Sequence, residues 1–345
     1  MSTRVLVTGH NGYIGSVLAP LLQDVGYEVT GLDTAYYREC TLRDHDRSIP
    51  QLSKDIRDLS AKDLEGYHAV VHLAALSNDP LGNLCPDWTR EINLCASVRM
   101  AQMAKASGVP RFLFSSSCIM YGTCENVVAS EDSPLDPKTD YAQSKVEAEK
   151  AISALASNDF SPTFLRNGTV YGLSPRMRFD TVLNDLIATA MTTGRVVVHT
   201  NGEPWRPVVH IEDVARAFLA ALEAPADRVH NQAFNTGSSA LNCRVLELAE
   251  IATETVPGCK LEVRAEPTAD HRTYKADFSK FAAAFPQFEF HWRPRDGALD
   301  LCERLRSSGI TYGHVTDKRF TRVRWLRHLI EEKLLDSSLR WTNSH

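Results

Sequence analysis

Tyr141 and Lys145 stand four residues apart in Tyr141-Ala142-Gln143-Ser144-Lys145, a spacing that puts a phenol and an ammonium on one face of a helix. A nearby ammonium favours phenolate over phenol and lowers the tyrosine pKa, so the pair suits proton abstraction from a hydroxyl. Alone, Y-x-x-x-K is also the pattern of an ordinary amphipathic pair. Upstream, Phe114-Ser115-Ser116-Ser117-Cys118-Ile119-Met120-Tyr121-Gly122 reads as a strand running out into hydroxyls. Ligands bind at the carboxyl edge of open α/β sheets, where such a hydroxyl can share a substrate proton with Tyr141.

A second constellation lies at the start of the chain. Gly9-His10-Asn11-Gly12-Tyr13-Ile14-Gly15 sits between the first strand and the first helix, one residue different in spacing from G-x-G-x-x-G. Glycines there permit a sharp turn, let backbone approach a pyrophosphate and keep helix close to sheet. The helix N-terminus offers free N–H groups and positive partial charge to phosphates. Asp33 ends the second strand about twenty residues on, where a carboxylate accepts from a ribose 2′-hydroxyl and repels a 2′-phosphate. NAD is therefore expected rather than NADP; the alternative for Asp33 is a solvated turn residue.

Positioning these groups requires parallel strands joined by crossover helices. Short β-branched runs at 5–8, 28–32, 69–73, 112–115 and 163–166 alternate with helical patterns at 13–25, 88–107 and 141–157. The expected fold is α/β: a Rossmann-type doubly wound parallel sheet with a smaller mixed α/β substrate-binding lobe. Residues 1–167 are expected to form mainly the NAD-binding lobe, which also receives later segments near 205–240. Residues 168–345 then supply mainly the substrate lobe and a C-terminal helical tail. In that tail Arg322-Val323-Arg324-Trp325-Leu326-Arg327 reads as an amphipathic helix docked on the body, its arginines facing solvent.

The ordered set of motifs resembles the extended short-chain dehydrogenase/reductases of the nucleotide-sugar epimerase/dehydratase group, from about Val5 to Asp277. The likeness rests on the glycine turn, Asp33, Asp55-Ile56-Arg57-Asp58, His72-Leu73-Ala74-Ala75, Asn93, the Ser117 strand end and Y-x-x-x-K. It implies a tightly held NAD that removes hydride from a sugar carbon, usually C4, giving a transient ketone. Tyr141 would be the base, Lys145 would bind the nicotinamide ribose and tune Tyr141, and Ser117, four residues before Tyr121, would orient the hydroxyl. Cofactor contacts are implied for Gly9, Asn11, Gly12, Tyr13, Ile14, Gly15 and Asp33, and further along for Asp55, Ile56, Leu73, Ala74, Ala75 and Asn93.

Departures from the group's pattern choose among reactions. The 4,6-dehydratases follow the catalytic hydroxyl with Asp and Glu; here Cys118 and Ile119 stand there, and isoleucine cannot abstract a C5 proton. Cys118 reads either as a thiol acid/base or as a small residue filling the site wall. A nucleotide-sugar 4-epimerase, which needs only Ser117, Tyr141 and Lys145, fits best. Alternatives are a 4,6-dehydratase, a 4-ketoreductase, or a non-catalytic NAD-binding regulator. Thr169 stands where relatives usually carry Asn. Arg206, then Arg272, are the diphosphate-binding candidates, with Arg178 in a loop over the substrate. His210 reads as structural. A homodimer is implied through the 88–107 and 141–157 helices.

Composition agrees with this reading. The 345 residues are 43% hydrophobic and 23% charged, and 38 Lys and Arg against 43 Asp and Glu give a net charge of -5. That balance argues against a nucleic-acid or anionic-membrane partner, though not against a small anionic ligand. The eight cysteines are scattered without C-x-x-C or zinc-like spacing, so neither a disulfide scaffold nor a metal site is expected. No apolar run approaches the length of a membrane span, and the opening residues lead straight into an apolar strand. A cytoplasmic location is expected.

Overall fold

The computed structural model describes residues 3–42, 48–124, 128–266 and 272–342. Seven strands form one parallel sheet: β1 (Arg4–Thr8), β2 (Glu28–Leu32), β3 (Gln51–Leu52), β4 (Ala69–His72), β5 (Arg111–Ser117), β6 (Ser161–Asn167) and β7 (Gln232–Thr236). Their order is β7-β6-β5-β4-β1-β2-β3. Chain direction across the sheet therefore reverses between β1 and β4, the topological switch point at which open α/β sheets bind ligands. The Rossmann-type expectation holds.

Every residue of β4 and β6 is buried, which is why their sequences do not alternate polar and apolar. One face of the sheet packs Phe112, Phe114, Met100 and Ile152; the other packs Val5, Val7, Leu18 and Phe218. The helix α1 (Gly15–Asp24) follows β1, α2 (Asp140–Ser153) carries Tyr141 and Lys145, and α3 (Ile211–Glu223) lies against α1. Of the later segments, β7 joins the large sheet. Trp205–His210 instead pairs with Thr169–Tyr171 and Asn242–Arg244 in a separate three-stranded sheet. Around that small sheet a third apolar cluster gathers Leu183, Ile187, Leu248, Leu301 and Leu305.

Two helical expectations change. The 88–107 helix is present as a continuous helical run over 86–106 but is not α-helical throughout: Pro86–Thr89 and Ser97–Ala106 are α-helical, and Arg90–Ala96 between them is a π-helix. The tail helix α4 (Arg322–Glu331) does dock on the body through Trp325, Leu326 and Leu329. Its first arginine, however, does not face solvent. Arg322 is 2% exposed, because its N–H donates to Asp180 Oδ2 at 3.1 Å and its guanidinium to Arg176 O at 2.7 Å, which turns it into the body. Arg324 and Arg327 are exposed as expected.

Candidate functional site

A cleft of about 690 Å³ opens at the carboxyl ends of β1, β4, β5 and β6. Its floor is the glycine turn. Gly9 has φ +70°, and its N–H donates to Leu32 O at 2.7 Å. A Cβ on Gly9 would stand 2.8 Å from Ala74 N, and one on Gly15 only 2.2 Å from Gly9 O. Larger residues would therefore push β1, β4 and α1 apart at the switch point. Among the described residues no side chain caps the α1 N-terminus, and Gly15, its first residue, lines the cleft, so the positive end of the helix is turned to a ligand there.

Asp33 lines the cleft where β2 ends. Its Oδ2 accepts from Asn11 N at 3.0 Å and its Oδ1 from Ala35 N at 2.7 Å. Burial pushes this carboxyl above its ordinary value, with the His10 charge acting against. The uncapped helix end and the Asp33 acceptor together match the phosphate and ribose groups of a dinucleotide, so these residues fit NAD. Asp55 and Ile56 also line the cleft. The Asp55 carboxylate is gripped by Arg57 at 3.0 and 2.7 Å, which fixes that loop.

At the other end, Thr139 caps α2 by accepting from Ala142 N at 3.2 Å. This sets Tyr141 and Lys145 facing the end of β5. Ser117 Oγ accepts from Ile119 N at 3.3 Å at the end of β5, and its hydroxyl acts to lower the pKa of the Tyr141 phenol. Lys145 Nζ donates to Ser115 O at 2.8 Å and lies 5.8 Å from the Tyr141 ring centroid. Ser117, Tyr141 and Lys145 all line the cleft. The expected lowering of the tyrosine pKa is not found. Burial pushes Tyr141 up and Asp79 adds to it, against Arg178 and Ser117, while burial pushes Lys145 down to about 8. Desolvation is the largest influence on both groups, with Glu149 alone acting to keep the ammonium charged.

Three assignments from sequence need correction. Cys118 is fully buried and points away from the cleft, its thiol donating to Arg166 O at 3.1 Å; burial pushes the thiol up. Ile119 forms the wall instead. Asn93 is spent on the loop after β4, accepting from Leu76 N at 2.8 Å and donating to Leu76 O at 3.1 Å. It positions that loop rather than lining the cleft. Asn11 stands on the outer side of Asp33, its side chain donating to Gln51 Oε1 at 3.1 Å.

Leu73, Ala74, Ala75, Tyr13, Thr169, Arg178, Arg206 and Arg272 all line the cleft. Arg272 pairs with Asp79 at 2.7 Å, and Arg206 donates to the carbonyls of Trp205 and Arg272. Arg178 pairs with Asp180 at 2.5 Å. His210 is structural: it accepts from Glu212 N at the start of α3 and stacks 4.4 Å from Trp292. Sequence reasoning missed Tyr37, Asp79, Asp180 and Arg322, which line the same cleft. Among the described residues no group of His, Cys, Asp and Glu could hold a metal, and no helix is long and apolar enough to cross a membrane.

Comparison with known proteins places this geometry in context. The model of the NAD dependent epimerase/dehydratase family matches residues 5–237. The UDP-glucose 4-epimerase of Corynebacterium glutamicum is 29% identical over 252 residues, 68% of this chain and 75% of that protein. The UDP-glucose 4-epimerase of Bacillus subtilis is 26% identical over 345 residues, 89% and 97% of the two chains. Among solved structures, MoeE5 in complex with UDP-glucose and NAD is 28% identical with a TM-score of 0.75, covering 88% of this chain and 99% of its own. TunA, an NAD dependent NDP-hexosamine 5,6-dehydratase, is 26% identical with a TM-score of 0.79, covering 89% and 98%.

Proposed function

The chain belongs to the NAD dependent epimerase/dehydratase family, with NAD as its cofactor, and we propose that within it the protein is a nucleotide-sugar epimerase acting at C4. The observation that carries this reading is the cleft wall after Ser117. Ile119 is apolar and Cys118 faces away, so neither supplies the acid or base that a 4,6-elimination requires. Ser117, Tyr141 and Lys145 line the cleft together and suffice for taking and returning one hydroxyl proton, while the nearby Asp79 carboxylate is paired with Arg272 at 2.7 Å.

NAD, when bound, supplies reversible hydride acceptance at a sugar carbon. Tyr141 takes the proton of the C4 hydroxyl and returns it to the same oxygen. Ser117, which lines the cleft with Tyr141, orients that hydroxyl. Lys145, charged below about pH 8, fixes the ribose beside Tyr141 and offsets negative charge on the phenolate. Arg206 and Arg272 line the same cleft and suit a nucleotide diphosphate. In this reading residues 1–167 with β7 hold the dinucleotide, and most of the remainder holds the sugar nucleotide. Two chains pair through the Ser97–Ala106 and Asp140–Ser153 helices, which gel filtration tests.

Incubation of the purified protein with a panel of nucleotide sugars is expected to give an isomer of unchanged mass without net NADH consumption. TunA, a dehydratase of similar fold, supplies the competing reading. Loss of water from the sugar would establish that reading, and stoichiometric NADH consumption would establish a reductase.

A further inference from the structure

The cleft holds a buried surplus of positive charge that the proposed chemistry does not use. Arg178 and Arg322 both line it, at 7% and 2% exposure, and they share one carboxylate, Asp180. Arg178 Nε donates to Asp180 Oδ1 at 2.5 Å, whereas Arg322 reaches Asp180 only through its backbone N–H, at 3.1 Å. The Arg322 guanidinium donates through Nη2 to Arg176 O at 2.7 Å, and its buried Nη1 has no hydrogen-bond partner among the described residues. Each guanidinium is braced on an aromatic ring: Arg178 lies 5.9 Å from the Tyr13 centroid and Arg322 4.6 Å from that of Tyr37. A buried cation without a full set of partners is costly unless a ligand completes it.

The position identifies the ligand chemistry. Tyr13 belongs to the glycine turn and Tyr37 follows Asp33. Asp33 and Tyr141 line the same cleft as the two arginines, and the arginines rest on the rings that adjoin the glycine turn and Asp33, Arg178 on Tyr13 and Arg322 on Tyr37. The two guanidiniums thus stand beside the glycine turn, where the diphosphate of a dinucleotide passes. We propose that Arg322 and Arg178 form the cationic half of a diphosphate subsite for the dinucleotide, facing the uncapped N-terminus of α1. Arg322 comes from the tail, beyond the 5–237 segment common to the family, so α4 contributes a ligand-binding residue as well as packing. The proposal rests on reading the cleft as the dinucleotide site.

The test is isothermal titration of the full chain, stripped of bound nucleotide, with ADP, AMP and UDP, alongside the NAD retained on purification. Arg322→Leu is expected to weaken ADP binding about tenfold or more and to lower retained NAD, while AMP and UDP binding change by less than about threefold. Arg178→Leu, which leaves the backbone anchor of the tail intact, provides the same comparison should Arg322→Leu not fold. Unchanged ADP binding would overturn the proposal. So would a loss confined to UDP, which would assign the cluster to the sugar nucleotide. Failure of the unmutated protein to bind ADP or NAD would overturn the dinucleotide reading itself.

Discussion

The Arg166 guanidinium grips the Glu149 carboxylate through two nitrogens, with Nε 3.1 Å from Oε1 and Nη2 2.7 Å from Oε2, between β6 and α2. The same guanidinium donates through Nη1 to the Tyr121 hydroxyl at 3.0 Å, and that hydroxyl donates to Asn235 Oδ1 at 2.6 Å. One buried network therefore ties the helix bearing Tyr141 and Lys145 to the turn that follows Ser117. Fixing both elements against β6 holds Ser117 and Tyr141 in register.

Truncating this network leaves an uncompensated charge. Glu149→Ala strands Arg166 at 6% exposure, and breaking such a buried pair costs about 3–5 kcal/mol. A urea midpoint lowered without a change in slope is the expected result. Glu149→Gln, which keeps an acceptor for the guanidinium, is expected to lose less.

Tyr141→Phe removes the proton acceptor while keeping the ring that packs at 9% exposure. Turnover is expected to fall about 10²–10⁴-fold with fold and NAD content unchanged, as for loss of a positioned acid–base group. Ser117→Ala, which removes only the orienting hydroxyl, is expected to cost less. Single-turnover measurements on the preferred nucleotide sugar separate this loss from a binding defect.

Lys145 makes a prediction about pH. Burial pushes it from 10.5 down to about 8, so between those values the unfolded chain binds more protons than the folded one. Stability should therefore rise with pH across that window, and at pH 7 the protein bears the full cost of a buried ammonium. Lys145→Met is expected to stabilise the fold at pH 7 by up to about 3 kcal/mol while suppressing turnover. Activity of the unmutated protein should fall above about pH 8 as the ammonium is lost. Chemical denaturation at pH 7 and pH 10, together with a pH–rate profile, checks both signs.

The parts of the site readable in the sequence are those built from local spacing. The glycine turn, Asp33 at a strand end and the Tyr141–Lys145 pair each depend on neighbours within a few residues, and all of them line the cleft. Misreadings came where a side chain's direction decides. Ser117 and Ile119 line the cleft, whereas Cys118 opens the 3-10 turn after β5 and sends its thiol to Arg166 O. Asn93 sits in the π-helical segment, from which its amide reaches the Leu76 backbone. Arg322 carries no local signal: its anchor Asp180 lies 142 positions earlier, and docking of the tail alone brings them together.

Asp33 separates cofactor choice from local structure. Its carboxylate supports Asn11 N and Ala35 N while facing the cleft, so Asp33→Asn keeps one acceptor and removes the charge. The variant is expected to bind NAD about tenfold more weakly and to lose discrimination against NADP, because the repulsion of a 2′-phosphate is gone. Competitive titration of the two dinucleotides measures the ratio.

Cys118 tests whether a residue next to the catalytic serine takes part in the reaction. Its thiol has no exposed surface, and its hydrogen bond to Arg166 O turns it into the body. Burial also pushes it away from the thiolate, the form needed for acid–base exchange or alkylation. Cys118→Ala is expected to keep turnover within about twofold of the unmutated protein and to cost about 1–2 kcal/mol, since a small apolar volume and one weak hydrogen bond are lost. Iodoacetamide should leave Cys118 unmodified in the folded protein, while the exposed Cys95 reacts. A loss of turnover in Cys118→Ala far beyond its loss of stability would return the thiol to the reaction. It would also reopen elimination as the chemistry of the cleft, because Ile119 offers no acid or base of its own.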